Sequence, residues 1–262
     1  MSQPPTVLID DPDAMATILK LQEAIADPDQ MILIGGWAVK IRLTEYQSHA
    51  RPTQDIDALL SASARPAHHK LAQLGAKQDD PKHSARLSGL PMTVDLLTSH
   101  PNSGQRPIPN GHDIPNVVTD DDNLNLAVPT MAHLLSTRHS PVTIHDRNDN
   151  HTTLDVAGPG ALLAGKIATL GAEDRRQEKR YSDADDALRL LSTIPASRIH
   201  DDFQHMTTAE RDTYNRIGAD LDVPQLARLA ALSGHHLPPG RVEVLTVKYR
   251  NTLDTTPETA RD

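Results

Sequence analysis

Short apolar runs and amphipathic segments alternate through the first half of the chain. Apolar runs bounded by polar turns are typical of buried strands, and segments with period 3.6 are typical of helices. Strands are predicted at 31–34, 55–60, 92–97, 124–128 and 142–145, the last as an edge strand. Helices are predicted at 14–25, 37–46, 66–74 and 131–137. Residues 1–12 are predicted to be an arm and 98–116, with four prolines, to be a loop.

The pattern changes at Gly158-Pro159, where Pro159 suits the first position of a helix. From there to about residue 234 the helical period dominates. Helices are predicted at 183–194, 208–221 and 224–233. We therefore expect an α+β fold with an α/β core over residues 1–150 and a mostly helical C-terminal region over 151–262.

Composition limits the class of protein and its cellular location, but it says little about the reaction. The 262 residues carry a net charge of −9, which argues against a general nucleic-acid coating protein. The absence of cysteine excludes disulfides and thiolate–zinc sites. No apolar run approaches the roughly 20 residues that span a bilayer, and the N-terminus lacks the basic and apolar regions of a signal peptide. We expect a cytoplasmic protein without membrane contact.

Candidate chemistry is concentrated in residues 32–60. Asp55 and Asp57 are one residue apart in a predicted strand, so their side chains point to the same face with Cα atoms roughly 6.5–7 Å apart. Asp95 lies in another strand-like run that could be a neighbour. Gly35-Gly36 ends the preceding strand and would let a phosphate approach backbone N–H groups. Together these features suit metal-assisted chemistry on a nucleoside triphosphate, although an Asp-x-Asp pair alone often only caps a loop.

Two polar residues precede the carboxylates. Arg51 could clamp a phosphate bidentately, or it could fix the loop by pairing with Asp57 or Asp95. Thr53 lies two residues before Asp55 and is a further candidate for nucleotide contact.

The order G-G-W-A, a helix-length spacer and R-x-T-x-D-I-D resembles the nucleotidyltransferase superfamily. Within it the AbiEii-like branch is most similar; that branch includes abortive-infection toxins and MenT-type toxins that add nucleotides to tRNA. The resemblance covers about residues 30–190 and implies a nucleotidyltransferase-like small mixed sheet with flanking helices. It also implies that Asp55, Asp57 and Asp95 hold two Mg²⁺ ions and that Asp95 is a candidate base.

The resemblance extends to Lys166 and Asp183. Lys166 matches the family lysine and is expected to contact the triphosphate, together with Gly35, Gly36, Arg51 and Thr53. Asp183 fits the family aspartate, although Ser182 stands where a basic residue is usual. The basic residues expected to bind tRNA are Arg175, Arg176, Lys179 and Arg180. The alternative is a solvated run of charges with a helix N-cap at Ser182 or Asp183.

The resulting functional hypothesis is a magnesium-dependent nucleotidyltransferase that moves a nucleoside monophosphate from an NTP to a hydroxyl. The resemblance implies the tRNA 3′ end as acceptor and a role as the toxin of a bacterial toxin–antitoxin system, with an antitoxin protein as a partner. Two alternatives stay open. One is an aminoglycoside or lincosamide nucleotidyltransferase, and the other is a catalytically silent nucleotide-binding module.

Overall fold

A computed structural model of the chain describes residues 3–25, 31–61, 65–80, 83–99, 117–119, 125–172 and 175–253. The strands in these residues are β1 (Thr6–Leu8), β2 (Met31–Ile34), β3 (Asp55–Leu60), β4 (Lys77–Asp80), β5 (His83–Ser88), β6 (Thr93–Thr98), β7 (Val117–Thr119), β8 (Asn125–Ala127), β9 (His139–His145) and β10 (His151–Ala157). The helices are α1 (Pro12–Ala24), α2 (Gly35–Glu45), α3 (Arg65–Gln73), α4 (Ala132–Thr137), α5 (Pro159–Leu170), α6 (Gln177–Thr193), α7 (Ala196–Phe203), α8 (Thr208–Asp220), α9 (Val223–Ala231) and α10 (Pro239–Leu253).

The described strands form one mixed sheet. Its main path runs β1-β9-β10-β2-β3-β6-β5-β4, and β8 adds to β6 and carries β7. Neighbouring strands are parallel in β1–β9, β10–β2, β3–β6 and β6–β8, and antiparallel in the other pairs. The four residues of β2 are all buried, because this central strand is covered on both faces.

The helical C-terminal region packs around α5. Ten of its twelve residues are buried, as expected of a helix that is apolar on nearly every side. It contacts α6, α7 and α8, and α6 in turn contacts α9. The buried apolar residues of the sheet and of these helices belong to one continuous core, so a charged residue on α5 is enclosed by protein.

Helix α2 is fixed to the sheet by a buried arginine. Nε of Arg42 donates to the carbonyl of Ala157 at 3.0 Å, and Nη2 donates to that of Val156 at 2.5 Å. Because these carbonyls belong to β10, the contact holds α2, and with it the glycine turn at its start, against the end of the sheet.

The structure confirms the predicted mixed sheet with flanking helices followed by a helical region. The division at residue 150 remains a prediction; it falls in the turn between β9 and β10. The N-terminal arm was predicted wrongly, because its residues 6–8 form β1 beside β9. Consequently β9 is not an edge strand but lies between β1 and β10. A three-residue strand contains too little periodicity to be recognised in the sequence.

Further differences concern helices of the C-terminal region. Helices α7 and α10 were not predicted, and α6 begins at Gln177 with Arg176 as its N-cap, so the alternative cap at Ser182 or Asp183 is wrong. Nearly all of the predicted loop at 98–116 lies outside the described residues. Across the described ranges, the structure contains no helix with both the length and the apolar character needed to cross a membrane.

Candidate functional site

The three candidate metal ligands share one face of the sheet. Strands β3 and β6 are parallel, and their register places Asp57 directly beside Asp95 and Asp55 beside Thr93. Side chains alternate along each strand, so Ile56 and the residues in register with it are buried on the opposite face. The structure thus places Asp57 and Asp95 side by side, with Asp55 on the same face of β3, and their role as metal ligands stays a prediction.

The glycine turn stands directly against these carboxylates. Strand β2 is antiparallel to β3 and pairs Ile34 with Asp57, so the chain turns into α2 beside that aspartate. Gly35 has φ of +68°, and a β-carbon there would lie 1.8 Å from Oδ2 of Asp57. A β-carbon on Gly36 would lie 2.7 Å from Oγ1 of Thr53. Both positions therefore require glycine, the first for its backbone angle as well as for space.

The environment of Asp57 disfavours its negative charge. Burial raises its pKa to about 7, and the negative charges of Asp95 and Asp55 add to the rise against the opposing effect of Lys166 and Lys179. Among the described residues, none donates a hydrogen bond to its side chain. The surroundings of Asp57 thus favour an added positive charge.

The other two carboxylates are each held by a cation. Oδ2 of Asp55 accepts from Nζ of Lys179 at 2.6 Å, and its Oδ1 accepts from Oγ1 of Thr53 at 3.1 Å. Burial would raise the pKa of Asp55, but Lys179, Thr53 and Arg86 together outweigh burial and lower it. Nη1 of Arg86 lies 3.2 Å from Oδ2 of Asp95.

A second cluster is centred on Lys166. Its ammonium lies 2.9 Å from Oδ1 of Asp183 and 2.8 Å from Oδ2 of Asp186, and all three residues are buried. Burial alone would lower the pKa of Lys166, but the two carboxylates raise it instead. Arg175 donates to Oδ2 of Asp183 from Nε at 2.9 Å and from Nη2 at 2.6 Å. The cluster joins α5 to α6 through charge.

Arg51 belongs to this second cluster. Its Nε and Nη2 donate to the two carboxylate oxygens of Asp186 at 2.9 and 3.0 Å. The possible pairing with Asp57 or Asp95 is therefore not observed. Asp186 was missing from the predicted site residues, although its i, i+3 spacing from Asp183 places both on one helix face.

Three of the four basic residues expected to bind tRNA are engaged by other groups of the protein. Arg175 pairs with Asp183, Lys179 pairs with Asp55, and Nη2 of Arg180 donates to the carbonyl of Leu170 at 3.0 Å. Arg176 is exposed at the start of α6. Their role in tRNA binding remains a prediction.

Asp55, Asp57 and Asp95 are the candidate ligands of a metal ion. In the parts of the chain that the structure describes, no three His, Asp or Glu side chains converge as a set of metal ligands. The donor set nevertheless fits magnesium in its chemistry, since carboxylate oxygens are the ligands that Mg²⁺ prefers. Asp57 also lies where an added positive charge would relieve repulsion from Asp55 and Asp95. Magnesium at Asp55, Asp57 and Asp95 therefore remains a proposal.

Comparison with known proteins adds little to this geometry. No protein-family model matches the sequence, and no curated protein matches it. Among solved structures, the chain is similar to the solution structure of the antibiotic-resistance factor ANT(2'')-Ia. The TM-score is 0.33 and the sequence identity 14%, over 91% of each chain. A similarity at this level does not determine activity, so the function must be inferred from the site itself.

Proposed function

We propose that this protein is a magnesium-dependent nucleotidyltransferase that transfers a nucleoside monophosphate from an NTP to a hydroxyl group. One observation carries the proposal. Asp57 lies against the Gly35 turn at the start of α2 and beside Asp95 on the next strand, with a pKa near 7. These carboxylates disfavour their own negative charge, and they lie next to a glycine turn whose backbone N–H groups could donate to a phosphate. Such an arrangement suits a complex of a metal ion with a triphosphate.

The aspartates would hold the metal. Asp55, Asp57 and Asp95 supply oxygen ligands on one face of β3 and β6. Magnesium bound there would neutralise the triphosphate and lower the pKa of the acceptor hydroxyl. Lys179, which contacts Asp55, and Arg86, which contacts Asp95, supply further positive charge at the rim.

The chain's own groups account for binding and proton transfer. The backbone N–H groups at Gly35 and Gly36 begin α2 and would donate to phosphate oxygens, helped by the positive end of the helix dipole. The acceptor oxygen forms a bond to the α-phosphorus while the bond between that phosphorus and the bridging oxygen to the β-phosphate breaks. Asp95 would accept the hydroxyl proton, and pyrophosphate leaves.

We assign Lys166 and Asp183 a positioning role, although the sequence suggested that Lys166 contacts the triphosphate directly. The ammonium is enclosed between Asp183 and Asp186, whose carboxylates already satisfy it. By joining α5 to α6, this contact fixes the helix that carries Lys179 to Asp55. Through Arg51 the same cluster fixes the segment between α2 and β3, which contains Thr53.

The acceptor is proposed from the family resemblance. The AbiEii-like pattern favours the tRNA 3′ end and a toxin role with an antitoxin partner. An aminoglycoside or lincosamide acceptor and a silent nucleotide-binding module are the alternatives.

The test is incubation of the protein with each labelled NTP, Mg²⁺ and either total tRNA or a panel of aminoglycosides and lincosamides. We expect label on tRNA, loss of labelling with EDTA, and loss of labelling in Asp57→Asn. Labelling of a drug and not of tRNA would favour the antibiotic transferase. Nucleotide binding without transfer to any acceptor would favour the silent module.

A further inference from the structure

A cavity of about 410 Å³ lies between three segments of the chain. These segments are the connection from α2 to β3, the C-terminal end of α6, and the region from the end of α9 into α10. The chargeable side chains that line it are Arg189, Arg241, His235 and His236, and no carboxylate is among the lining residues. In a chain with a net charge of −9, such a lining is selective for an anion.

A buried aspartate holds two of these side chains in place from behind the cavity. Oδ1 of Asp185 accepts from Nε of Arg189 at 2.7 Å and lies 2.5 Å from Nδ1 of His235. Asp185 is 1% exposed and does not line the cavity, so it orients the donors without facing a ligand. The hydroxyl of Ser192 lines the cavity with its oxygen buried and without a hydrogen-bond partner.

The C-terminal end of α6 would by itself repel an anion, because unpaired carbonyls carry partial negative charge. Here those carbonyls are covered by cations from α10. Nη2 of Arg241 donates to the carbonyl of Ser192 at 2.7 Å, and Nζ of Lys248 donates to those of Leu191 and Ile194. The positive charges of Arg241 and Lys248 therefore offset the negative end of the helix dipole beside the cavity.

We propose that this cavity binds a phosphate group of the acceptor, which makes the acceptor a phosphate-bearing molecule rather than a cationic drug. Arginine N–H groups and hydroxyls are the donors that phosphate oxygens prefer. The volume is in the range of sites that hold a nucleotide-sized group. That the bound molecule is the acceptor rests on the proposed function. That the cavity binds a phosphate group rests on the cavity alone.

The position of the cavity supports an acceptor site. Ser48, which lines it, lies three residues before Arg51, and Asp185 is next to Asp186, the partner of Arg51. The cavity and the aspartate cluster thus share α6 and the segment that leads into β3. This surface replaces the segment from Arg175 to Arg180 as the place where acceptor phosphates are bound, since three of the four basic side chains there are already engaged by a carboxylate or a carbonyl.

The test compares two exposed arginines of α10. Arg241→Gln removes a donor from the cavity, whereas Arg250→Gln removes the same charge from the same helix outside it. Binding of a short single-stranded RNA is measured at several salt concentrations, with inorganic phosphate as competitor. Arg241→Gln should raise Kd about 10-fold, the effect of losing one charge-assisted hydrogen bond. It should also flatten the slope of log K against log salt by about 0.7. Arg250→Gln should change neither.

His236→Gln is a second variant, because Arg241 also covers a helix carbonyl and its loss could disturb α6. His236 is exposed, so this change should leave the thermal midpoint unaltered and still weaken RNA binding. RNA could fail to bind while a nucleoside monophosphate binds to the parent and not to either variant. The phosphate group bound in the cavity then belongs to a free nucleotide. Equal RNA binding by Arg241→Gln and Arg250→Gln, or no phosphate-dependent binding at all, overturns the proposal.

The two proposals fail separately. If Arg241→Gln and Arg250→Gln transfer nucleotide to tRNA equally well, the proposed activity stands and the cavity is not its acceptor site. If RNA binding depends on Arg241 but the protein transfers no nucleotide, the phosphate site stands and the proposed activity is wrong. Asp57→Asn should bind RNA like the parent while losing transfer.

Discussion

Gly35 and Asp57 are so close that a β-carbon on the glycine would lie 1.8 Å from Oδ2 of the aspartate. This contact follows from strand pairing, because Ile34 is in register with Asp57 and the chain must turn immediately after it. The turn therefore limits where the Asp57 carboxylate can lie. Any bound phosphate at the start of α2 would meet that carboxylate or its metal.

Gly35→Ala should be far more damaging than Gly75→Ala. Both glycines have positive φ, +68° and +100°, but a β-carbon on Gly75 would meet no atom within 4 Å. Gly75→Ala should therefore cost only the backbone strain, about 1–2 kcal/mol of unfolding free energy. Gly35→Ala adds a clash with Asp57 and should also abolish nucleotide transfer. Chemical denaturation and the transfer assay measure both effects; equal stability and activity of the two variants would contradict the contact.

Asp57→Asn should keep the fold and lose activity. The amide has nearly the same size but lacks the anionic oxygen that a hard metal ion requires. Because Asp55 and Asp95 repel the charge on Asp57, removing that charge should leave the thermal midpoint unchanged or raised. Asp55→Asn should also lose transfer, but it breaks the hydrogen-bonded ion pair with Lys179. Full magnesium-dependent activity in either variant would mean that the metal site is elsewhere.

The sequence revealed those parts of the site that are local. The strand β2, the glycine pair that follows it and the two carboxylates of β3 are predicted from short-range patterns. Period 2 puts Asp55 and Asp57 on one face of the sheet. The apolar run around Asp95 predicted a strand, and the structure places it in register with Asp57.

The ion pairs could not be predicted in this way. Lys179 and Asp55 are 124 positions apart, and Arg51 and Asp186 are 135 apart. A run of basic residues does not show which side chain faces a distant partner, so Arg175 and Lys179 looked like a surface for tRNA. Lys166 looked available to a phosphate because its two carboxylate partners come from another helix.

Lys166→Met should strongly destabilise the fold, whereas Lys179→Met should not. Removing Lys166 leaves Asp183 and Asp186 buried with less compensation, and breaking such a buried pair costs about 3–5 kcal/mol. The Lys179 side chain is 45% exposed, so its pair with Asp55 should contribute no more than about 1 kcal/mol. Urea unfolding of both variants gives the comparison.

A double variant separates charge from packing at Lys166. If the cost arises from uncompensated carboxylates, Lys166→Met combined with Asp186→Asn should be more stable than the sum of the single changes implies. Additive effects, or a Lys166→Met variant as stable as Lys179→Met, would show that the buried ammonium does not hold α5 to α6.

Acid should weaken the fold partly through Asp183. Burial alone would raise the pKa of this carboxyl, but Lys166 and Arg175 more than offset burial and hold it below the ordinary value of 3.8. A carboxyl with a lowered pKa in the folded state binds fewer protons there than in the unfolded chain. Its contribution to stability is therefore complete above the pKa of the unfolded state and is lost as the pH falls through the pKa of the folded state.

In Asp183→Asn this part of the loss of stability in acid should disappear. The free energy of unfolding should therefore fall less steeply between about pH 5 and pH 3 than in the parent. Asp201→Asn, an exposed carboxyl on α7, is the control and should keep the parental slope. Parallel pH profiles for the parent and Asp183→Asn would show that Lys166 and Arg175 do not stabilise the charged form of Asp183.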